Sequence, residues 1–395
     1  MGQTAALLGL VSTVGPLAID MYLPAFPAMA ADLHAKPSAV QLSLVVFFCS
    51  MAVGQLIYGP LSDAFGRKRP LQVGLAVFFV ASIGCAMAPD IHTLLWLRAV
   101  QGLGACAGMS IARAIVRDSH TGPEAAKLLS LMILVWGVSP LFAPLAGSVC
   151  LSFGGWRAIF WILSGLVGLT LALVTFVLEE SHPHHRRVEP SFTTMMLTYG
   201  RLLKDRKLIG LTFSNASWSG SVFSYLATSS FVFAHDYHMT PLAYGVMFGV
   251  CASGMVMASQ SNAWLMRRLG AETQIKWVGL GAIGAAGFLT LTVLLHLASV
   301  PVMAFGAFLL FAAQGVSMTP ASVTALDAQG ANAGAAAALM GALQLATGSA
   351  ISGAVSALFP PESIVLVGTQ LGCVLFGAVA CRYAFWKPGR GLGNL

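Results

Sequence analysis

Residues 59–69 read Gly59-Pro-Leu-Ser-Asp63-Ala-Phe-Gly66-Arg67-Lys68-Arg69, a short polar stretch between two long apolar runs. Glycine permits the tight turn that so short a connection needs. A cluster of cations between two apolar runs is typical of a cytoplasmic loop joining two transmembrane helices. Such a loop needs the cations but not the acid, so we interpret Asp63 as a clasp to a neighbouring helix end or basic side chain.

The rest of the chain has the composition of a multi-pass membrane protein. Hydrophobic residues make up 57% of the 395 residues and charged residues 9%, whereas about 25% of residues are charged in ordinary soluble domains. We expect residues 5–19 to be a retained span rather than a signal peptide, because no charged segment precedes them. The apolar runs predict an all-α protein with twelve transmembrane helices, six before a polar break and six after it. The predicted spans are 4–30, 40–61, 71–89, 93–117, 127–152, 157–179, 208–233, 241–264, 274–298, 300–324, 332–357 and 362–384.

The only long hydrophilic connection divides the chain near its middle. It predicts an N-terminal six-helix bundle over residues 1–180, a cytoplasmic linker over 181–207 and a C-terminal six-helix bundle over 208–395. Placing both termini in the cytoplasm puts most of the 21 Lys and Arg residues on that side, as the positive-inside rule requires. The net charge of +7 is therefore a topology signal, and we expect no nucleic-acid partner.

A weak internal repeat relates the two halves at an offset of 204 residues. Pro37 and Pro241 begin the second and eighth predicted spans, and the loop glycines Gly66 and Gly270 follow those spans. The second loop carries Arg267 at the position of the acid, so we expect the clasp in the first half only. Parallel repeats of this kind usually place a substrate site between two bundles near the bilayer midplane.

Among the charged residues inside predicted spans, Asp20 and Arg98 lie several residues from the span ends, where each charge costs about 3 kcal/mol. Asp20 is the only charged side chain between Ala5 and Ala31. Pro24 lacks an N–H, so it removes the hydrogen-bond partner of the Asp20 carbonyl and bends the helix there. Arg98 lies in the fourth span at a similar depth, so we expect the two charges to pair and to bind a proton. The alternatives are a structural ion pair at a kink and an arginine that snorkels to the membrane surface.

The loop and the fourth span resemble two signatures of the major facilitator superfamily. The loop signature G-x-L-x-D-x-x-G-R-K/R is met by Gly59, Leu61, Asp63, Gly66, Arg67 and Lys68, and R-x-x-Q-G-x-G is met by Arg98, Gln101, Gly102 and Gly104. The resemblance implies the two-bundle fold of that superfamily and a role for Arg98 in proton coupling. It also implies a conformational switch in which Asp118 joins the charges of the loop. A solvated helix end is the alternative for Asp118 and for the nearby Arg113 and Arg117.

The fifth span combines helix-bending prolines with small residues that permit close helix packing. It partly matches the antiporter signature G-x-x-x-G-P-x-x-G-G, with Ser139-Pro140 where that pattern has Gly-Pro. With the opening Asp20-Met-Tyr-Leu-Pro-Ala-Phe-Pro, the whole chain resembles the Bcr/CflA family of drug:proton antiporters. This resemblance implies a proton-coupled drug exporter, which we place as a monomer in the bacterial inner membrane. The residues of this antiporter-type helix are Gly137, Pro140, Pro144 and Gly147.

Polar and aromatic residues within the spans predict the walls of a mostly apolar cavity. Each of them, taken singly, is more often explained by a hydrogen bond between helices. We expect lipophilic substrates that are cationic or neutral, because the second half offers no buried charge to pair with an anion. The candidates are Tyr22, Gln101, Trp136, Asn215, Trp218, Tyr225, Gln314 and Gln344.

The sequence indicates a transporter of small molecules and protons across a lipid bilayer, with no enzymatic activity, cofactor or metal. It contains no Walker loop and no nucleophile triad to support an ATP-driven pump or a hydrolase. We interpret His182, His184 and His185 as part of the solvated linker and the seven cysteines as packing residues. Two other functions stay open. One is import or export of a metabolite such as a sugar or amino acid, and the other is a non-transporting receptor or channel.

Overall fold

The computed structural model describes residues 2–119, 122–183 and 192–386, but not the side chains of residues 2–5, 192–194 and 331 or of parts of α6. Within these ranges the chain consists of helices and turns, with no strand. Two short 3-10 turns, Leu23–Ala25 and Gly330–Asn332, interrupt the helical segments. The helices are α1 (Gly2–Asp20), α2 (Phe26–Asp32), α3 (Pro37–Phe65), α4 (Lys68–Met87), α5 (Ile91–Ser119), α6 (Gly122–Phe176), α7 (Phe192–Leu202), α8 (Arg206–His235), α9 (Pro241–Gln260), α10 (Asn262–Leu269), α11 (Ala271–Leu294), α12 (Val300–Leu326), α13 (Ala333–Leu358) and α14 (Ser363–Phe385).

Ten segments of the described chain are long and apolar enough to cross a membrane. One of them, Gly137–Phe176 within α6, has 40 residues, about twice what one crossing needs. The backbone breaks at Gly155, where φ is +66°, a conformation that favours glycine. Helix α6 therefore contains both the fifth and the sixth predicted spans. Helix α8 occupies the seventh predicted span but is not among the ten segments, so the count of twelve spans stays a prediction.

The two halves repeat unusual backbone conformations at the offset of 204 residues. Gly66 follows α3 with a φ of +88°, and Gly270 follows α10 with a φ of +74°. His34 and His238 adopt φ values of +48° and +51° at the other end of the bundle. We call helices α1–α6 the N-half and α8–α14 the C-half. The basic end is the end of the bundle that carries Gly66 and Gly270, and the opposite end is the one that carries the two histidines.

At the opposite end each half also uses an aspartate in the same way. Asp32 accepts a hydrogen bond of 2.9 Å from the indole of Trp156 and pairs with Arg157, at the start of the second arm of α6. Asp236 accepts hydrogen bonds of 2.6 and 3.1 Å from the hydroxyl and the backbone N–H of Ser363, the first residue of α14. In both halves the end of the first span is therefore tied to the start of the last.

The halves contact each other mainly along two helix pairs, α3 with α13 and α6 with α9. Near the opposite end the α6–α9 contact is close enough to require glycine. A Cβ atom on Gly245 would lie 2.9 Å from the carbonyl oxygen of Pro144, and one on Gly249 would lie 2.7 Å from that of Leu141. The hydroxyl of Ser148 lies 2.8 Å from the Pro241 carbonyl oxygen. These contacts close the opposite end of the space between the halves.

Helix α7 lies inside the segment predicted as a solvated linker. Its residues Tyr199 and Leu202 are buried, and they pack with Leu208 and Cys381 of the C-half. This part of the linker is thus docked on the C-half, because an amphipathic helix gains stability by burying its apolar face. His184 and His185 lie outside the described residues.

Candidate functional site

The first predicted span is broken beside Asp20. Helix α1 ends at that residue, and Pro24 lies within the 3-10 turn that separates α1 from α2. The predicted bend is therefore present. The Asp20 side chain is buried, with 5% of its residue surface exposed, and it forms no ion pair with any described residue. An ionised carboxylate is costly to bury in such a position.

Arg98 is fully buried beside the end of α1 without pairing directly with Asp20. Its guanidinium donates hydrogen bonds to the Gln101 side-chain oxygen at 2.5 Å and to the Ala18 carbonyl oxygen at 3.3 Å. The rings of Tyr22 and Phe47 lie 4.3 and 4.2 Å from its central carbon. Cation–π contacts with two aromatic rings thus replace the expected carboxylate. The Nε and Nη2 atoms of Arg98 have no hydrogen-bond partner in the described structure.

A second layer of polar residues holds the groups around Arg98. Gln101 donates to the hydroxyl of Ser82 at 2.8 Å, and the Tyr22 hydroxyl lies 3.3 Å from that of Ser43. Tyr22 and Gln101 are therefore fixed around the arginine, and both are fully buried. In this conformation they support Arg98 rather than lining an open cavity.

Asp20 also lies at the junction with the C-half. The turn Leu23–Ala25 contacts both α8 and α9, and Asp20 is within electrostatic range of Tyr244 in α9. The Tyr244 hydroxyl is 2.8 Å from that of Ser229 in α8. A change in the charge of Asp20 would therefore act on residues of both halves.

Two C-half residues that the sequence predicts to line the substrate cavity both contact Ser219, a residue that the sequence analysis did not single out. Gln314 and Gln344 each donate a hydrogen bond to the hydroxyl oxygen of Ser219, at 2.6 and 2.5 Å. The side-chain oxygens of Gln314 and Asn215 are buried without a described partner. Ser219 lies one helical turn after Asn215 and therefore on the same helix face, and this spacing could have identified it as a cavity residue. This cluster offers hydrogen-bonding groups to a bound molecule.

The aromatic candidates lie in packed surroundings. Trp218 lies between α11 and α14, where a Cβ atom on Gly377 would be 2.2 Å from the indole nitrogen. Tyr225 is 1% exposed and packs edge-on against Phe311, with ring centroids 5.5 Å apart. The side chain of Trp136 lies outside the described residues.

Arg67 is the centre of a charge network at the basic end. It pairs with Asp63 at 2.5 Å and with Asp118 at 2.7 Å, and it is 3% exposed. Burial alone would lower the pKa of the Arg67 guanidinium, but the hydrogen bonds and charges of the two carboxylates outweigh it and raise the pKa. Glu180, which the sequence did not single out, accepts hydrogen bonds from the backbone N–H groups of Arg67 and Lys68, at 2.8 and 3.2 Å. The acid of the loop thus does act as a clasp to a basic side chain.

The predicted antiporter-type residues of α6 lie where helices approach closely. A Cβ atom on Gly147 would be 1.7 Å from the carbonyl oxygen of Met21, next to Asp20. Gly137 faces Val256 of α9, and Pro140 and Pro144 lie within the helix between these two glycines. Helix α6 therefore connects the broken span of the N-half with the C-half.

The family model of the Major Facilitator Superfamily matches residues 8–357. The chain belongs to this superfamily. It is 35% identical over 382 residues to the uncharacterized MFS-type transporter YdgK of Bacillus subtilis, a match covering 94% of each chain. It is 30% identical over 375 residues to the bicyclomycin resistance protein homolog of Haemophilus influenzae, again covering 94% of each chain. The predicted resemblance to the superfamily and to its Bcr/CflA members is confirmed.

Among solved structures, the major facilitator fold recurs in a D-xylose-proton symporter, with a TM-score of 0.74, 17% identity and 95% coverage of both chains. It also recurs in a bacterial homolog of the lysosomal transporter Spinster in an inward-facing conformation, with a TM-score of 0.70, 14% identity and 98% coverage of both chains. These confirm the all-α transporter fold. The protein is a multi-pass transporter of the bacterial inner membrane that carries small molecules, and it is not an enzyme.

Proposed function

We infer that the protein exports drugs or other lipophilic small molecules in exchange for protons, by alternating access. The observation that carries this inference is the buried Asp20, which has no ion pair with a described residue and lies two residues beyond the Ala18 carbonyl that accepts a hydrogen bond from Arg98, at the junction of the two halves. The bicyclomycin resistance protein homolog, nearly full length in its match, supports a role in drug resistance. The two six-helix bundles, residues 1–180 and 208–395, would rock against each other around this site, with both termini in the cytoplasm and the transporter acting as a monomer.

Proton coupling follows from the different needs of the two forms of Asp20. The protonated acid tolerates its buried position without a counter-charge, so we assign the described conformation to protonated Asp20. After the proton leaves, the carboxylate requires hydrogen-bond donors. The unpaired Nε and Nη2 atoms of Arg98 are suitable donors, because a charge-assisted hydrogen bond stabilises both groups.

Movement of Arg98 toward Asp20 would change the packing of both halves. The guanidinium would leave the rings of Tyr22 and Phe47 and release its contact with Gln101. Those groups would then become available to a substrate, together with the polar cluster at Ser219. Substrate and proton would thus favour different arrangements of one site, which is the condition for exchange.

The test uses everted membrane vesicles from a bacterial strain without its major drug pumps, with chloramphenicol as the probe. Gradient-driven chloramphenicol uptake and substrate-induced proton movement are measured for the parent chain and for Asp20→Asn. We expect Asp20→Asn to lose uphill transport. Asp90→Asn is the matched control, since Asp90 is an exposed acid before α5. Full gradient-driven transport by Asp20→Asn would refute the proposal.

A drug-susceptibility panel with the same variants separates this function from its alternatives. A metabolite carrier would alter growth on a nutrient and leave drug susceptibility unchanged. A receptor or channel would show no substrate-induced proton movement in vesicles.

A further inference from the structure

Helix α5 carries a polar stripe toward the basic end. Cys106, Ser110, Arg113 and Arg117 lie on one face, because they follow one another at three- or four-residue steps. Large exposed residues of the same helix, such as Trp96, lie nearer the opposite end. Arg113 and Arg117 are both exposed and form no ion pair with a described residue.

This stripe faces the space between the halves. The Ser110 hydroxyl lies 3.4 Å from the side-chain oxygen of Gln55 in α3, and Gln55 borders Gly341 of α13 in the C-half. Nearer the basic end, a terminal nitrogen of Arg117 lies 3.9 Å from where a Cβ atom on Gly334 of α13 would be. The exposure of the stripe is therefore exposure to the cleft between α5 and α13.

Arg113 extends along α5 toward the membrane interior rather than toward the basic end. It lies six residues from the end of α5, which is about 9 Å inside the basic end. Its Nε donates a hydrogen bond of 3.0 Å to the carbonyl oxygen of Met109, one turn deeper. Helical side chains lean toward the N-terminus of their helix, and for α5 that direction leads into the membrane. A snorkelling arginine would extend the other way.

The acids near this end of α5 do not neutralise the two arginines. Asp118 is held by Arg67 at 2.7 Å, and Asp63 is held by Arg67 at 2.5 Å. Glu124 in the first turn of α6 and Asp327 at the end of α12 are exposed and form no ion pair with a described residue. The mouth of the cleft thus presents an excess of positive charge.

We propose that Arg113 and Arg117 form a binding site for the carboxylate group of an amphiphilic substrate entering from the basic end. A guanidinium binds a carboxylate through two parallel hydrogen bonds, and Ser110 and Gln55 supply further polar groups beside it. The inference rests on the proposed export function and replaces the expectation of only cationic or neutral substrates. The substrate class is a small aromatic or aliphatic carboxylic acid in its anionic form.

The experiment measures binding to the full-length protein in neutral detergent at pH 7. The probes are 1-naphthylacetate and 1-naphthylacetamide, which share a ring system and differ in charge. We expect the acetate to bind at least tenfold more tightly than the amide. Arg113→Gln should remove this preference without changing the affinity for the amide, and Arg113→Lys should restore part of it. Arg268→Gln is the control, because Arg268 lies outside the cleft against Trp264.

Other outcomes have definite meanings. Equal binding of both probes by the parent chain would overturn the proposal. A second contrary result is that phosphatidylglycerol displaces the acetate and the protein shows no preference for the acetate over the amide. That result would assign the arginines to a lipid headgroup and would also overturn the proposal. If Arg113→Gln does not fold, two other measurements test the proposal. Arg117→Gln should weaken binding of the acetate and not of the amide, and rising salt should do the same to the parent chain. Binding in detergent requires no proton gradient, so this result is independent of the Asp20→Asn transport test.

Discussion

Replacing Gly249 by alanine should open the opposite end of the transporter. The added Cβ atom would lie 2.7 Å from the Leu141 carbonyl oxygen, a backbone atom of α6 that cannot rotate away. Such overpacking costs about 1–3 kcal/mol. The cost applies only while α6 and α9 are in contact, so it destabilises the described conformation relative to one open at this end.

The expected shift in population between the two conformations follows from this free-energy cost. A difference of about 1–3 kcal/mol changes that ratio by about 5- to 150-fold. Alanine also favours helix formation over glycine by about 1 kcal/mol, but it does so in both conformations. Gly284→Ala in α11 is the matched control, because no heavy atom lies within 4 Å of its added Cβ.

The assay is electron–electron double resonance between spin labels on either side of the opposite end. Lys36 belongs to the N-half and Leu242 to the C-half, and both are exposed, so each accepts a label on a background without native cysteines. We expect Gly249→Ala to increase the long-distance population and Gly284→Ala to leave it unchanged. Equal distance distributions for the two variants would show that the α6–α9 contact does not control access at this end.

Three further predictions concern separate parts of the molecule. Ser219→Ala should lower the free energy of unfolding by about 1–3 kcal/mol, because two glutamine amides lose their acceptor; an unchanged Tm in detergent would contradict this. Glu180→Gln should slow drug transport several-fold without weakening drug binding, because the loop amides lose a charged acceptor, whereas weakened binding would argue for another role. Burial acts to raise the pKa of Asp236, but hydrogen bonds from Ser363 outweigh it and lower the pKa below 3.8. This contact therefore stabilises the fold above about pH 4 and its contribution falls as the pH drops through the lowered pKa, so Asp236→Asn should lower the Tm more at pH 7 than at pH 3.

Hydropathy and turn residues predicted the helices well because each crossing needs about 20 apolar residues. The division between the fifth and sixth predicted spans, around residues 153–156, coincides with the break at Gly155. The docking of α7 was not predictable in the same way, since its stability depends on an apolar surface of the C-half that no local pattern describes. The separation of α2 from α1 followed from Pro24, but the exact turn depended on contacts with α8 and α9.

The charged part of the site was predictable because buried charges are costly and therefore conspicuous in an apolar sequence. Their partners were not predictable. Arg98 contacts aromatic rings from α3 and the first turn, a geometry that arises only when three segments assemble. Ser219 and Glu180 belong to common residue types, and their roles depend on partners 95 and 113 residues distant in sequence.

The polarity of α8 has a consequence for how the protein is synthesised. A helix with this many serines gains little from entering lipid alone. Its polar side chains find partners on helices made later: Ser217 donates to the Cys373 carbonyl oxygen of α14 at 2.6 Å, and Ser219 accepts from α12 and α13. We therefore expect α8 to remain loosely held at the translocon until α12, α13 and α14 have emerged. The C-half would then acquire its membrane topology as a group rather than one helix at a time.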